Sequence, residues 1–200
     1  VVKKYSIIYA DPPWSYRDKA HAGERGVLYK YDLMDLAQIR KLPVQSLAAD
    51  NCALFLWVTP PLLPDCLSVV QAWGFQYKTI GFTWVKTYPK SEKLFMGMGS
   101  YTRTNAELCL LGLKGRLTRV NKGVRSLVVS PLGEHSKKPE EVRDRIVQLF
   151  GEMPRIELFA RQRAQGWDAW GLEIHSDVEL AGDRFVEARD RVPSAVAAGS

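Results

Sequence analysis

An α/β fold, with a mostly parallel sheet covered by helices on both faces, is predicted by three features of the sequence. Six short apolar runs recur along the 200 residues, and segments with helical spacing lie between them. The third feature is composition: 46% hydrophobic against 25% charged residues supplies enough apolar material for one buried core. Strands alternating with helices need crossover connections, which favour parallel pairing. The chain is read as a single domain over 1–176 with a peripheral tail over 177–200, ending SAVAAGS.

The first run, YSIIYA (5–10), is followed by ALFLWV (53–58), TIGFTWV (79–85), ELCLLGL (107–113), SLVVS (126–130) and RIELFA (155–160). All are rich in β-branched and aromatic residues and read as buried strands. Between the first two, DLMDLAQIRKL (32–42) sets Leu33, Leu36 and Ile39 at roughly helical spacing. Asp32 and Asp35 stand near its start, where the helix dipole favours acid. A second helix is expected from Leu62 to Trp73, with Gly74 just beyond it. The clearest helix is SKKPEEVRDRIVQLFG (136–151), with Pro139 suited to the first turn and Glu140 and Glu141 to the positive end of the dipole. Val142, Ile146, Leu149 and Phe150 form its apolar stripe, and Gly151 suits the C-cap. Residues 86–105 and 114–125 read as long loops. Within the first, GMGS (97–100) follows no strand that leads into a helix, so it reads as a mobile loop rather than a glycine-rich cofactor cradle.

Composition also excludes several classes. Cys52, Cys66 and Cys109 are far apart with no C-x-x-C pair, which argues against a disulfide framework and a zinc finger. His21, His135 and His175 are equally scattered, so no metal site is legible. No stretch approaches the ~20 apolar residues of a membrane helix, and the short apolar run after Lys3 and Lys4 ends too early, at Asp11, for a signal peptide. A cytoplasmic, reduced protein is expected. The net charge of +6 favours polyanions such as nucleic acid as partners.

The most informative stretch is YADPPWSY (9–16). Asp11 falls where the first strand should end, at the carboxyl edge of the sheet, where ligands of such folds collect. Pro12 and Pro13 fix two φ angles and hold the preceding residues extended, so the carbonyls around them can face a ligand from a stiff loop. Trp14 offers a flat face for stacking on a base. The Asp11 carboxylate and a proline carbonyl could together orient an exocyclic amine and stabilise the positive charge it develops on attacking an electrophilic methyl. A D-P-P turn followed by a core tryptophan is the alternative reading of the same four residues.

Here the chain resembles the MT-A70 family of adenine N6-methyltransferases that use S-adenosylmethionine. The resemblance covers about residues 5–172. It rests on DPPW together with the order of YDLMDLAQIRKLPV (31–44), ALFLWVT (53–59), FTWVKT (82–87), NAELCLLGLKG (105–115), HSKKPEEV (135–142) and RIELFARQRAQGWDAWG (155–171). It implies a Rossmann-like methyltransferase fold and S-adenosylmethionine as cofactor. It further implies Asp11, Pro12, Pro13 and Trp14 as the catalytic tetrad, with Asp11 also near the cofactor, and Tyr31 as a residue lining the acceptor pocket. Lys138 matches the lysine that meets the cofactor's methionine carboxylate; Glu157 and Arg161 match polar positions near its ribose and methionine portions, and Phe159 lies between them. Arg103 and Asn105, in YTRTNAE (101–107), match a family segment near the substrate. The chain departs from the pattern after the last WG step, where relatives often carry a polar amide and this chain has Leu172 and Glu173.

Lys114, Arg116, Arg119, Lys122 and Arg125 cluster within twelve residues, and Arg17, Lys19, Arg25 and Lys30 flank the DPPW loop. If both segments open on the strand ends, they form a basic rim that grips phosphates without reading sequence, around an adenine supplied single-stranded or flipped from a duplex. DNA is the expected acceptor. RNA is the same-chemistry alternative, an inactive nucleic-acid-binding relative that supports a catalytic partner is the alternative of a different class, and homo- or hetero-oligomerisation stays open.

Overall fold

The computed structural model describes residues 3–15, 34–99, 101–133 and 137–180. Its elements are β1 (Tyr5–Ala10), α1 (Leu36–Lys41), β2 (Ala48–Val58), α2 (Leu63–Ala72), β3 (Gln76–Thr87), β4 (Glu107–Lys114), β5 (Leu127–Pro131), α3 (Glu141–Phe150), β6 (Arg155–Leu158) and β7 (Asp168–Trp170). The strands form one sheet in the order β5-β3-β4-β2-β1-β6-β7. Only β4 runs against its neighbours; the β1–β2, β1–β6, β3–β5 and β6–β7 pairs are all parallel. The result is the mostly parallel, Rossmann-like sheet that the alternation of elements predicts.

The two faces follow from the period of two along each strand. Ile8 and Ala10 of β1, Leu54, Leu56 and Val58 of β2, and Ile156 and Leu158 of β6 point to one side. There they pack with Ile39 of α1 and with Cys66, Val69 and Val70 of α2. Ile7, Tyr9, Ala53, Phe55 and Trp57 point to the other, against Val142, Ile146 and Phe150 of α3. Helices therefore cover both faces.

Capping explains the helix boundaries. Asp35 is the N-cap of α1 and accepts from the Gln38 backbone N–H, while the Gln38 side chain accepts from the Asp35 N–H, a reciprocal capping box. Asp32 and Leu33 lie outside the described residues. Pro60–Leu62 forms a 3-10 turn ahead of α2. Gly151 ends α3 as its C-cap, with a positive φ of 84° that favours glycine, and donates its N–H to the Val147 carbonyl. Pro139 sits one residue before the N-cap, Glu140, so it precedes the helix rather than occupying its first turn.

Three expectations change. β3 and β5 are not buried throughout: Ile80, Leu127 and Val129 are exposed, because β5 is an edge strand that pairs only with Thr83–Thr87 and leaves the first half of β3 uncovered. RIELFA yields a four-residue strand, and β7, too short for its pattern to be legible, follows it at the sheet edge. Asp177–Leu180 packs against this edge. The Asp177 N–H donates to Ala169, its carboxylate accepts from Arg163 and from the Ala169 N–H, and Leu180 is buried in the core.

Candidate active site

The strand order fixes where a ligand can bind. From β1 the chain passes to β2 on one side, and after β5 it returns through α3 to β6 on the other. The order therefore switches between β1 and β6, and the crevice outside their carboxyl ends is the expected site. Ala10 is the last paired residue of β1, opposite Leu56 and Leu158. Asp11 is thus the first residue beyond the sheet, one step past the Ala10–Leu158 pair.

The DPPW loop leaves the sheet as a stiff, bonded unit. The Trp14 N–H donates to the Pro12 carbonyl at 2.8 Å and the Met34 N–H to the Pro13 carbonyl at 3.0 Å. The Trp14 indole N–H donates to the Trp57 carbonyl at 2.9 Å, and the ring packs on the core as a half-buried side chain. Trp14 is therefore partly a core tryptophan and partly open. Each proline carbonyl spends a lone pair on holding the loop, which fixes its direction and leaves a second lone pair.

Asp11 is held by charge. Lys138, just ahead of α3, places Nζ 2.8 Å from Asp11 Oδ2 and 3.2 Å from Glu107 Oε2. Glu107, the first residue of β4, also takes Lys86 Nζ on Oε1 at 2.5 Å. Lys86, Glu107, Lys138 and Asp11 thus form a line of alternating charge across the carboxyl edge. Side-chain exposure along it is 15%, 8%, 11% and 32%, so the line opens to solvent only at Asp11. The Lys138 ammonium also lies 5.7 Å from the Trp57 ring centroid, and the Trp57 indole N–H donates to the Tyr9 hydroxyl at 2.7 Å. Burial raises the Asp11 pKa above the ordinary carboxylate value, opposed chiefly by Lys138. Burial works against the charge on Lys138, yet Asp11 and Glu107 outweigh it and hold its pKa above that of an ordinary lysine. Burial would also raise Glu107, but Lys138 and Lys86 together bring it below its usual value.

Glu157 is the third residue of β6 and pairs with Tyr9. It faces α3, where Arg143 Nη1 contacts its two oxygens at 2.9 and 3.2 Å. Burial raises its pKa, with Arg143 opposing. Phe159 turns the chain at the end of β6 with a left-handed φ of 62°, its ring meeting Trp170 edge-on at 5.2 Å. Such a conformation in a non-glycine residue is costly and concentrates at ligand sites. Gly171 is required at the neighbouring turn, since a Cβ there would lie 2.0 Å from the Ala160 carbonyl oxygen. Arg161 is close enough for its charge to favour ionised Asp11, and its Nε lies 4.0 Å from Glu173. The crevice therefore offers Lys138 and Arg161 to an anionic group and Glu157 to hydroxyls. No cluster of His, Cys, Asp and Glu among the described residues could hold a metal.

Asn105 turns inward. Its Oδ1 accepts from the Lys86 N–H at 2.8 Å and its Nδ2 donates to the Lys86 and Phe95 carbonyls, so the amide clamps backbone. Arg103 is exposed on the same connection, which leaves β3 and enters β4 at the carboxyl edge. Gly97–Gly99 of the GMGS segment folds against this connection, with the Gly97 N–H donating to the Thr104 carbonyl at 2.9 Å; Ser100 lies outside the described residues. Tyr31 and the basic residues Arg17, Lys19, Arg25 and Lys30 lie outside the described residues.

The expected basic rim is corrected by the reversal of β4. Because β4 runs antiparallel, Lys114 at its end stands opposite Cys52, near the start of β2. The Arg116 N–H donates to Asn51 and the Val120 N–H to Leu149, at the far end of α3. Lys114, Arg116 and Arg119 therefore mark the amino edge, about 24 Å from Glu107 along the strand at ~3.4 Å per residue. Glu107, Lys86 and Arg143 carry no motif that marks them in the sequence. The available signal was a charged residue at the end of an apolar strand run, Glu107 in ELCLLGL and Lys86 after FTWV.

The MT-A70 family model matches residues 5–173. The Type II methyltransferase M.MunI of a Mycoplasma species is 36% identical over 190 residues, covering 86% of this chain and 78% of that protein. The N(6)-adenosine-methyltransferase MT-A70-like protein of Drosophila melanogaster is 31% identical over 166 residues, 80% of this chain and 25% of its own length. The human N(6)-adenosine-methyltransferase catalytic subunit METTL3 is 26% identical over 200 residues, 98% of this chain and 33% of its own length. The chain thus spans a quarter to a third of the last two.

Proposed function

Since this chain belongs to the MT-A70 family and is a methyltransferase, we propose that it transfers a methyl group from S-adenosylmethionine to N6 of adenine in DNA. The observation that carries the reading is Asp11, held at the carboxyl edge beyond β1 in contact with Lys138 and followed by the bonded DPPW loop. The exocyclic amine of adenine is a poor nucleophile because its lone pair is delocalised into the ring. Asp11 and the second lone pair of the Pro12 carbonyl accept from the N–H groups of that amine, favour a pyramidal nitrogen whose lone pair is localised on it, and stabilise the charge that develops there. The open face of Trp14 stacks on the base.

The residues of the crevice fit the cofactor. A buried ammonium shared between two carboxylates, with a guanidinium close by, suits the methionine carboxylate. A Glu157 carboxylate oriented by Arg143 suits ribose hydroxyls. The bound cofactor supplies the electrophilic methyl, and this chain's residues position the amine that receives it. Phe159 and Gly171 shape the turns that border the crevice, and Arg103 stands where a nucleic-acid strand would pass.

DNA is favoured by the higher identity, at comparable length, to a Type II methyltransferase. RNA is the second reading, supported by the relatives named for adenosine. Incubation with labelled S-adenosylmethionine and matched single- and double-stranded DNA and RNA, followed by nucleoside analysis, tests the proposal. N6-methyladenine in DNA is the expected product, and label in RNA alone would overturn the DNA assignment.

A further inference from the structure

We propose that Lys86 and Glu107 are positioning residues for methyl transfer, forming the anchored far end of a charge relay that keeps Lys138 against Asp11. The inference rests on the reading of Asp11 as the group that holds the target amine. Lys86 sits at the end of β3, three strands away from Asp11 in the order β3-β4-β2-β1. Its main chain is fixed on both sides by Asn105, and its ammonium lies 5.0 Å from the Trp84 ring centroid. The clamp fixes the backbone from which the side chain reaches, and Glu107 and the Trp84 ring hold the ammonium itself. Glu107 divides its oxygens, Oε1 to Lys86 and Oε2 to Lys138. Lys138 is in turn divided between Glu107 and Asp11, and stands nearer to Asp11.

The division has a consequence for charge. With Lys86 in place Glu107 is already compensated, and the Lys138 charge remains available to Asp11. Without Lys86, Glu107 would draw Lys138 towards itself and act on Asp11 as an uncompensated buried anion. Without Glu107, both ammonium groups would favour ionised Asp11. The two losses therefore act on Asp11 in opposite directions, which a purely structural role for either residue does not produce. Among the described residues, the other groups facing Asp11 are Arg161 beyond β6, which favours its ionised form, and Glu157 on β6, Tyr9 on β1 and Cys109 on β4, whose titration Asp11 opposes. Burial keeps Tyr9 and Cys109 neutral across the working range, and Glu157 keeps its own partner, Arg143.

The test is a pH titration of the Asp11 carboxyl carbon by ¹³C NMR in the whole protein, paired with the pH profile of kcat. Lys86→Met is expected to move the Asp11 midpoint and the acid limb of kcat upward by about one pH unit, and Glu107→Gln to move both downward. Lys86→Arg, which keeps the charge, restores the wild-type midpoint. The double variant Lys86→Met with Glu107→Gln returns close to it, and decides the matter should Lys86→Met alone fail to fold. Midpoints unchanged in both single variants, or displaced in the same direction, would overturn the relay. The NMR arm needs no turnover. Opposed midpoint shifts in a protein that transfers no methyl group would count against the proposed function and leave the charge relay standing.

Discussion

Replacing Lys138 by Met removes a side chain that bonds to both Asp11 and Glu107, at 2.8 and 3.2 Å. Breaking a buried ion pair by deleting one partner costs about 3–5 kcal/mol, because the other charge stays buried. Two details place this case at the low end. Glu107 keeps Lys86, and Asp11, a third exposed, regains water and is screened by it. A loss of about 3 kcal/mol follows, or a fall of about 6–12 °C in Tm for a chain of this size. The pH dependence has a fixed sign. Glu107, held below its ordinary pKa, contributes stability that is present above ~4.3 and lost as pH falls through its lowered value. Lys138, held above its ordinary pKa, contributes stability that is complete below ~10.4 and lost as pH rises through its raised value. The gap between wild type and variant is therefore widest between about pH 5 and 10 and narrows on acidification. Urea unfolding followed by tryptophan fluorescence at pH 7.5 and pH 3 measures it. A loss below about 1 kcal/mol at pH 7.5, or one equally large at pH 3, would refute the assignment of a buried, shared ion pair.

Three further outcomes are expected. The acid limb of the wild-type kcat profile lies above ~3.9, the ordinary aspartate value, because burial raises Asp11 and the reaction needs its anion; a rate unchanged down to pH 4 would contradict this. Arg143→Met, which leaves Glu157 without its guanidinium partner, weakens S-adenosylmethionine binding about tenfold by calorimetry, the size of a lost hydrogen bond to a charged group. Gly171→Ala drives a Cβ to 2.0 Å from the Ala160 oxygen, a backbone atom that cannot rotate aside, and lowers stability by about 1–3 kcal/mol in thermal unfolding.

Much of the fold was legible because its signals are local. YSIIYA ends one residue before Asp11, as observed, and the Glu141–Phe150 helix follows its apolar stripe and glycine cap. The reversal of β4 was not legible, because ELCLLGL is equally apolar whichever way it runs. That single reversal carries the basic segment after Lys114 to the edge away from Asp11. The site divided in the same way. Asp11 and Lys138 are marked by motifs. Arg143 lies on a helix face that reads as ordinary solvated charge, and its pairing with Glu157 depends on how α3 crosses β6. Asn105 reads as a polar loop residue, yet its amide is spent on Lys86 and Phe95. Which side of a side chain faces the protein is a tertiary property, and neither spacing nor composition encodes it.

The most direct test of the account is N6-methyladenine formation by wild type and by Asp11→Asn on the same DNA, read by mass spectrometry of the nucleosides. The amide keeps the size and one acceptor but loses the charge that stabilises the developing cation, a change worth about 10²–10³ in rate at oxyanion-type sites. Wild type is expected to give product, and the variant, still binding S-adenosylmethionine, at least a hundredfold less. Equal product from both would mean that the amine is held elsewhere, and the carboxyl edge beside Asp11 would lose its place as the site of methyl transfer.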